Sequence, residues 1–130
     1  MSRAAAFVFA IALLACEDAS RPVEPVWGKQ ACAHCAMLLS EPRFAAELTT
    51  QAGDRFFFDD PGCMAAFVRE RGPRVRGMWV HGENGWIDAK TARFRGGEKS
   101  PMDYGFAPAP DGKADWAAVE RASAARGGSS

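Results

Sequence analysis

The stretch RFFFDDPGCM, residues 55–64, decides the fold because it contains the end of a strand and the beginning of a helix. Its three consecutive phenylalanines place aromatic rings on both faces of a strand, so we expect this strand to be central in its sheet or covered. Asp60 is a good N-cap residue and Pro61 suits the first helical position. A helix with apolar residues at helical spacing should therefore begin here, and Gly72 followed by proline should end it.

The segments on either side of this stretch predict two hairpins and a second helix. Residues 44–51 and 55–59 form the first predicted hairpin, and residues 75–81 and 86–88 form the second across a Gly-Glu-Asn-Gly turn. A loop follows, and the last helix should run from about residue 113 to 125. The predicted fold class is α+β, with small antiparallel β-hairpins each followed by a helix, the pattern that a degenerate ββα duplication would produce.

Length and charge narrow the classes of function. The chain has 130 residues, of which 48% are hydrophobic and 25% charged, as is usual for a small globular domain. Lys plus Arg and Asp plus Glu both number 16, so the net charge is zero. Such a balance provides no strong field for nucleic acid, and we therefore expect no nucleic-acid partner.

The N-terminal segment is typical of an export signal. Residues 4–15 are apolar throughout, which is too short to span a bilayer as a helix of about 20 residues but fits a secretory signal. The sequence Leu-Leu-Ala-Cys ending at Cys16 resembles a bacterial lipobox. We predict four segments: a signal peptide (1–15), a lipidated tether (16–26), a folded domain (27–125) and a disordered tail (126–130). The protein should be lipid-anchored to a bacterial membrane facing the periplasm, and the acidic pair after Cys16 slightly favours the inner membrane.

The pair Cys32 and Cys35 is the clearest chemical motif, and several kinds of site compete for it. A c-type haem site is excluded because Ala36 stands where histidine is required. A thioredoxin-like pair should lie between a strand and a helix, whereas this pair follows a proline-bearing tether. A structural zinc site needs four Cys or His ligands with a second spaced pair, but Cys63 stands alone and His81 is not part of a pair. A structural disulfide remains an alternative for an exported protein.

A soft-metal site is the interpretation that uses the most residues. Thiolate and thioether donors suit Cu(I), which needs no hard oxygen ligand. Met37 follows the cysteine pair, Cys63 lies in the first turn of the predicted helix, and Met102 lies in a glycine-rich loop that no helical stripe explains. The helix N-terminus favours a thiolate, so we expect Cys63 to be reactive, and the alternative is a small buried cysteine packed beside Phe67. Met64 fits the core, His81 fits a structural role in a strand, and His34 is either a ligand or solvent-facing.

The combined motifs resemble a known family. They are Cys32-x-x-Cys35-x-Met37, Phe58-Asp59-Asp60-x-x-Cys63-Met64, Trp86-Ile87-Asp88-Ala89 and Ser100-Pro101-Met102-x-Tyr104-Gly105-Phe106. In this order, and after a lipobox, they resemble the nitrous oxide reductase accessory lipoproteins, the NosL-like copper chaperones. That family usually has glycine where this chain has Ala36.

The resemblance implies a metallochaperone rather than an enzyme. Its cargo would be Cu(I), and its partners would be nitrous oxide reductase and the ABC-type complex that matures the copper centre of that enzyme. Cys32, Cys35 and Met37 occupy the family's cysteine–methionine motif, and Met102 its Pro-Met element. Together with the residue-based candidate, the predicted metal ligands are Cys32, Cys35, Met37, Cys63 and Met102. The main alternative is an exported thiol–disulfide protein, and a third is a lipoprotein whose cysteines only staple the fold.

Overall fold

The computed structural model describes residues 18–127, so the predicted signal peptide and Cys16 lie outside the described residues. The described residues form a 3₁₀ turn, six strands and two helices. In chain order these are the 3₁₀ turn (Pro42–Phe44), β1 (Ala46–Thr50), β2 (Arg55–Phe58), α1 (Pro61–Arg71), β3 (Val75–Gly82), β4 (Gly85–Asp88), β5 (Phe94–Arg95), β6 (Ala107–Pro108) and α2 (Trp116–Gly127). The predicted α+β class and both hairpins are confirmed. The hairpins join into one antiparallel sheet of order β2-β1-β3-β4, and the small sheet β5-β6 separates the second hairpin from its helix.

Helix α1 begins and ends where the sequence predicts. The side chain of Asp60 accepts a hydrogen bond from the Gly62 amide, Pro61 occupies the first turn, and Gly72 ends the helix in a left-handed conformation with φ of 56°. Its buried face packs Phe67 against Phe56 and Phe58 of β2, with ring centroids 4.8 and 5.3 Å apart. This packing fixes the helix N-terminus beside the end of β2.

Strand β2 lies at the edge of the sheet, not at its centre, but it is covered. Phe56 and Phe58 face α1, whereas Phe57 pairs with Glu47 on the opposite face and is buried. The Ala33 amide donates to the Phe57 carbonyl at 2.8 Å, so the cysteine loop, residues 31–38, covers the outer edge of this strand. Covering an edge in this way satisfies backbone groups that would otherwise be open to another chain.

The N-terminal segment packs on the second face of the sheet. Glu47 is fully buried, pairs with Arg55, and accepts hydrogen bonds from the Val23 amide at 3.1 Å. The Arg55 guanidinium also donates to the carbonyls of Asp18 and Arg21, both at 3.0 Å. An extended tether was expected as far as residue 26. From Asp18 onward the chain instead lies on the domain, because the buried carboxylate and guanidinium hold its backbone.

The C-terminal helix packs on α1 and extends beyond the expected limit. Arg69 donates to the buried hydroxyl of Ser123 at 2.7 Å, which ties the two helices together. Helix α2 includes Arg126 and Gly127, where a disordered tail was expected to begin, and residues 128–130 lie outside the described part. Within residues 18–127, neither helix is long and apolar enough to cross a membrane.

Candidate metal centre

The cysteine pair lies in a tight loop closed by the bridge between Ala31 and Leu38. The Cys32 amide donates to the Met37 carbonyl at 2.7 Å, and the Ala36 amide donates to the Cys32 carbonyl at 3.0 Å. Ala36 adopts a left-handed conformation with φ of 67°. The loop therefore requires at this position a conformation that glycine adopts without strain.

Substituting Ala36 with glycine should raise the free energy of unfolding by about 0.5–1 kcal/mol. The left-handed conformation costs alanine about 1–2 kcal/mol, which exceeds the entropy that glycine adds to the unfolded chain. Urea unfolding of the reduced domain measures the difference. Ala33→Gly, in the same loop but without a positive φ, should instead destabilise the domain. A loss of stability in A36G equal to that of A33G would contradict the interpretation.

Four donor side chains converge at the junction of this loop, β2 and α1. One ligand atom from each of Cys32, Cys35, Asp59 and Cys63 lies within 4.8 Å of all the others. Asp59 directly follows β2, and Cys63 is in the first turn of α1. The contact between the cysteine loop and Phe57 brings the other two sulfurs to the same place. Three ligands predicted from the sequence are thus brought together.

The electrostatics of the cluster favour one thiolate and two thiols in the metal-free protein. A hydrogen bond from the Cys63 side chain lowers the pKa of Cys32 to about 6, outweighing burial, and the Cys35 amide at 3.5 Å from this sulfur adds to the effect. Burial raises the pKa of Cys35 to about 12. The same hydrogen bond to Cys32, followed by burial, raises the pKa of Cys63. Cys32 would thus bind a metal ion without first losing a proton, and binding to the other two cysteines would release their protons.

The expectation that Cys63 is a reactive thiol is wrong. Its position in the first turn of the helix is confirmed, but its side chain is fully buried. Its amide donates to the Asp60 carbonyl at 2.9 Å, and its thiol serves as a hydrogen-bond donor to Cys32. The helix terminus therefore does not make Cys63 a thiolate, and the low pKa belongs to Cys32 instead.

Asp59 is the donor that sequence analysis missed as a site residue. It is 3% exposed, and its Oδ1 accepts a hydrogen bond from the Cys35 thiol at 3.3 Å. Its Oδ2 is buried with no hydrogen-bond partner among residues 18–127. The sequence signal that could have revealed it is a carboxylate directly after a strand and four residues before Cys63. Of the two adjacent aspartates, only Asp60 was assigned a role, that of the helix cap.

The two candidate methionines are more exposed than Cys32 and Cys63. Met37 is 56% exposed and belongs to the cysteine loop itself. Met102 is partly buried against the core, and its amide donates to the Asp60 carboxylate at 3.0 Å. The Asp60 carboxylate thus caps α1 and also holds the loop that carries Met102. Met64 is fully buried in the core, as predicted.

Neither histidine belongs to the cluster of donors found in the described part of the chain. His34 Nε2 lies 3.3 Å from a carboxylate oxygen of Glu70. His81 packs edge-on between Trp27 and Trp86, and its Nε2 lies 3.5 Å from Glu24. These contacts give His81 the structural role that the sequence predicts.

The arrangement is suited to bind a soft metal ion. Cys32, Cys35 and Cys63 are free thiols, so these three, the cysteines of the described residues, form no disulfide staple. Cys35 is only half-buried, which leaves one side of the cluster accessible. Thiolates are preferred ligands of Cu(I), and three of them can surround one ion without a hard donor.

Comparison with known protein families finds no match, and comparison with curated proteins also finds none. Comparison with solved structures finds similarity to the crystal structure of the copper chaperone NosL from Shewanella denitrificans. The TM-score is 0.59 and the sequence identity 19%, over 77% of this chain and 87% of that chain. The similarity confirms the NosL-like fold that the sequence resemblance implied.

Proposed function

We propose that this protein is an extracytoplasmic Cu(I) metallochaperone and not an enzyme. The observation that carries the proposal is the convergence of three free cysteine thiols with a carboxylate within 4.8 Å at the junction of a loop, a strand end and a helix. The shared fold with the copper chaperone NosL supports it. Copper is the cargo here, so the site should bind it tightly and still release it to a partner.

Transfer would proceed by ligand exchange. Cu(I) is stable with two or three sulfur ligands, so a donor from the partner can bind the ion before a donor of this protein leaves. The half-buried Cys35 provides the accessible side of the cluster, and the exposed Met37 lies beside it. A thioether is a neutral and weak donor, so Met37 can bind the ion transiently as it enters or leaves.

Met37→Leu should slow Cu(I) transfer several-fold and change the equilibrium affinity by less than about threefold. The substitution preserves volume but removes an exposed sulfur that is not among the buried ligands. Stopped-flow transfer to a chromophoric Cu(I) chelator measures the rate. Leu38→Ala is the matched control, since Leu38 is the adjacent residue, is 51% exposed and has no sulfur. Equal rates in the wild type and M37L would show that Met37 takes no part.

The proposed recipient is the maturation machinery of nitrous oxide reductase, including its ABC-type complex, and the proposed location is the periplasmic face of a membrane. The order of the motifs and the lipobox-like sequence ending at Cys16 support this proposal. The Asp18 carbonyl accepts a hydrogen bond from Arg55 on the face of the sheet that carries Glu47, whereas Cys63 of the cluster lies in α1, which packs on the other face. A lipid on Cys16 would tether the domain through the segment that begins at Asp18.

A competition titration tests the proposed function. The reduced domain should bind about one Cu(I) far more tightly than Zn(II), because thiolates favour the softer ion. Cu(I) affinity is measured against a chromophoric chelator, and Zn(II) affinity by a parallel competition. Zinc binding as strong as copper binding would count decisively against a copper chaperone.

A thiol–disulfide function is the second candidate, because the pKa of Cys32 is lowered to about 6 within a C-x-x-C motif. The main cause of the lowered pKa is, however, the hydrogen bond from Cys63. Thiol–disulfide exchange by a C-x-x-C pair does not need such a third thiol, whereas a metal site uses it as a ligand. The reduction potential and an insulin-reduction assay separate the candidates. If the Cys63→Ala variant catalysed insulin reduction at the wild-type rate, the result would favour the redox function.

A further inference from the structure

A cleft of about 740 Å³ lies beside the cysteine loop, on the face of the sheet that carries α1. Its apolar lining includes Ala33 of the loop, Phe56 of β2 and Phe67 of α1, and the two phenylalanine ring centroids are 4.8 Å apart. Clefts that bind ligands commonly have volumes of about 300–1,000 Å³ and a largely apolar lining. This cleft is therefore large enough to hold several side chains of another polypeptide.

Two exposed arginines, Arg71 and Arg74, line the same cleft. Among residues 18–127, neither guanidinium forms an ion pair, and that of Arg71 lies 5.8 Å from the Phe67 ring centroid. Asp54 is the one carboxylate among the described lining residues, and it accepts a hydrogen bond from the Thr50 hydroxyl at 3.5 Å. The cleft thus combines aromatic surface with an excess of positive charge.

The cleft shares two supporting elements with the metal centre. Phe67 follows Cys63 by four residues of α1, which is about 6 Å along the helix axis. Ala33 lies between Cys32 and Cys35 in the cysteine loop. A polypeptide bound in the cleft would therefore contact the loop that carries two of the candidate metal ligands.

We propose that this cleft docks an acidic segment of the protein that receives the metal. Carboxylates of the segment would pair with Arg71 and Arg74, and an apolar side chain between them would pack on Phe56 and Phe67. The proposal rests on the proposed function only in making the occupant the recipient of the metal. Docking there would raise the effective concentration of the recipient's metal donors at the cysteine loop.

Charge and shape both select this occupant. A guanidinium can bind a carboxylate through two parallel hydrogen bonds, so two arginines at one cleft favour a segment with more than one acidic residue. An apolar side chain packed on the phenylalanine rings would exclude water from these ion pairs. A concave cleft admits such a side chain, whereas the flat surface of a membrane would contact only its rim.

Selection from a random peptide library displayed on phage tests the proposal, with the reduced, metal-free protein as target. Enriched peptides should carry several Asp or Glu residues around an aromatic or large aliphatic residue. Fluorescence polarisation with a synthetic copy of an enriched peptide then measures affinity. Arg71→Gln combined with Arg74→Gln should weaken binding by at least about tenfold, because it removes both charged contacts and keeps the apolar lining. Lys90→Gln combined with Arg121→Gln is the matched control, since it removes the same charge at exposed residues outside the cleft.

Several outcomes would overturn the proposal. They are the absence of any enriched peptide, enrichment of peptides without acidic residues, and equal affinity in the wild type and R71Q/R74Q. A wild-type dimer that dissociates in R71Q/R74Q would assign the cleft to a second copy of the chain. Vesicles containing phosphatidylglycerol that bind the wild type but not R71Q/R74Q, with no enriched peptide, would assign it to a membrane. Either assignment would also overturn the proposal.

Two further measurements keep the test decisive. If R71Q/R74Q does not fold, nuclear magnetic resonance of the wild type should show the peptide shifting the amide signals of Ala33, Phe56 and Arg74, and shifts confined to other residues would overturn the proposal. Cu(I) affinity is measured in parallel. No enriched peptide in a protein that binds Cu(I) tightly would overturn the docking cleft alone. Acidic peptides bound by a protein that cannot bind Cu(I) would overturn the copper chaperone and leave the cleft as a docking site.

Discussion

Cys32→Ser should weaken Cu(I) binding by at least about 100-fold, which is the largest functional effect we expect from a single substitution. Among the three cysteines, Cys32 is the one whose pKa is lowered, to about 6, so this residue supplies a thiolate to the ion without first losing a proton. Serine provides a hard oxygen that Cu(I) does not prefer, and groups that merely support a metal ligand already contribute about 10–100-fold to affinity. Cys35→Ser should lower the affinity similarly.

A chelator competition with the reduced domain measures the loss, and two controls define its meaning. Met64→Leu removes a fully buried sulfur from the residue next to Cys63 with little change in volume, so it should leave Cu(I) affinity unchanged. His81→Ala should also retain affinity, because His81 packs between two tryptophans and lies outside the cluster. If C32S and C35S both kept wild-type affinity, the copper site would have to lie elsewhere.

Glu47→Ala should lower the free energy of unfolding by about 3–5 kcal/mol, which is the largest effect on stability that we expect. The substitution removes the Glu47 carboxylate from the Arg55 guanidinium, and only 10% of the Arg55 side chain is exposed. It also removes the acceptor of the Val23 amide. Loss of these contacts should loosen the N-terminal segment on the sheet, and urea unfolding measures the cost.

A double variant and a surface control separate the buried pair from a general effect of charge. Glu47→Leu combined with Arg55→Leu should recover part of the lost stability, since replacing both members of a buried pair with apolar residues is often neutral or stabilising, although the Val23 amide still loses its acceptor. Glu83→Ala removes an exposed carboxylate and should change stability by less than about 0.5 kcal/mol. A cost below about 1 kcal/mol for E47A would show that the segment is held by other contacts.

Local signals account for the parts of the fold that sequence analysis predicted correctly. Asp60 and Pro61 begin α1, and Gly72 ends it, because capping and left-handed conformations depend on a few neighbouring residues. The two hairpins were predicted for the same reason. The edge position of β2 was not predicted, since covering its outer side requires the Ala33 amide, 24 residues before Phe57.

The candidate site was predicted only in part, because local patterns reveal some of its residues and long-range contacts bring in the others. Spacing revealed Cys32 and Cys35, and the helix position revealed Cys63, but no local pattern places Asp59 beside them. The thiolate was assigned to Cys63 from the helix terminus. The pKa is instead lowered at Cys32, by a hydrogen bond from Cys63 that joins residues of different elements. Glu47 likewise appears as an ordinary strand residue until the N-terminal segment covers it.

X-ray absorption on the domain loaded with one Cu(I) tests the central claim most directly, because it counts sulfur donors against lighter ones. The three convergent thiols predict a shell of three sulfurs, with no nitrogen or oxygen at bonding distance. A copper shell made mainly of nitrogen or oxygen would contradict a soft-metal site at Cys32, Cys35 and Cys63.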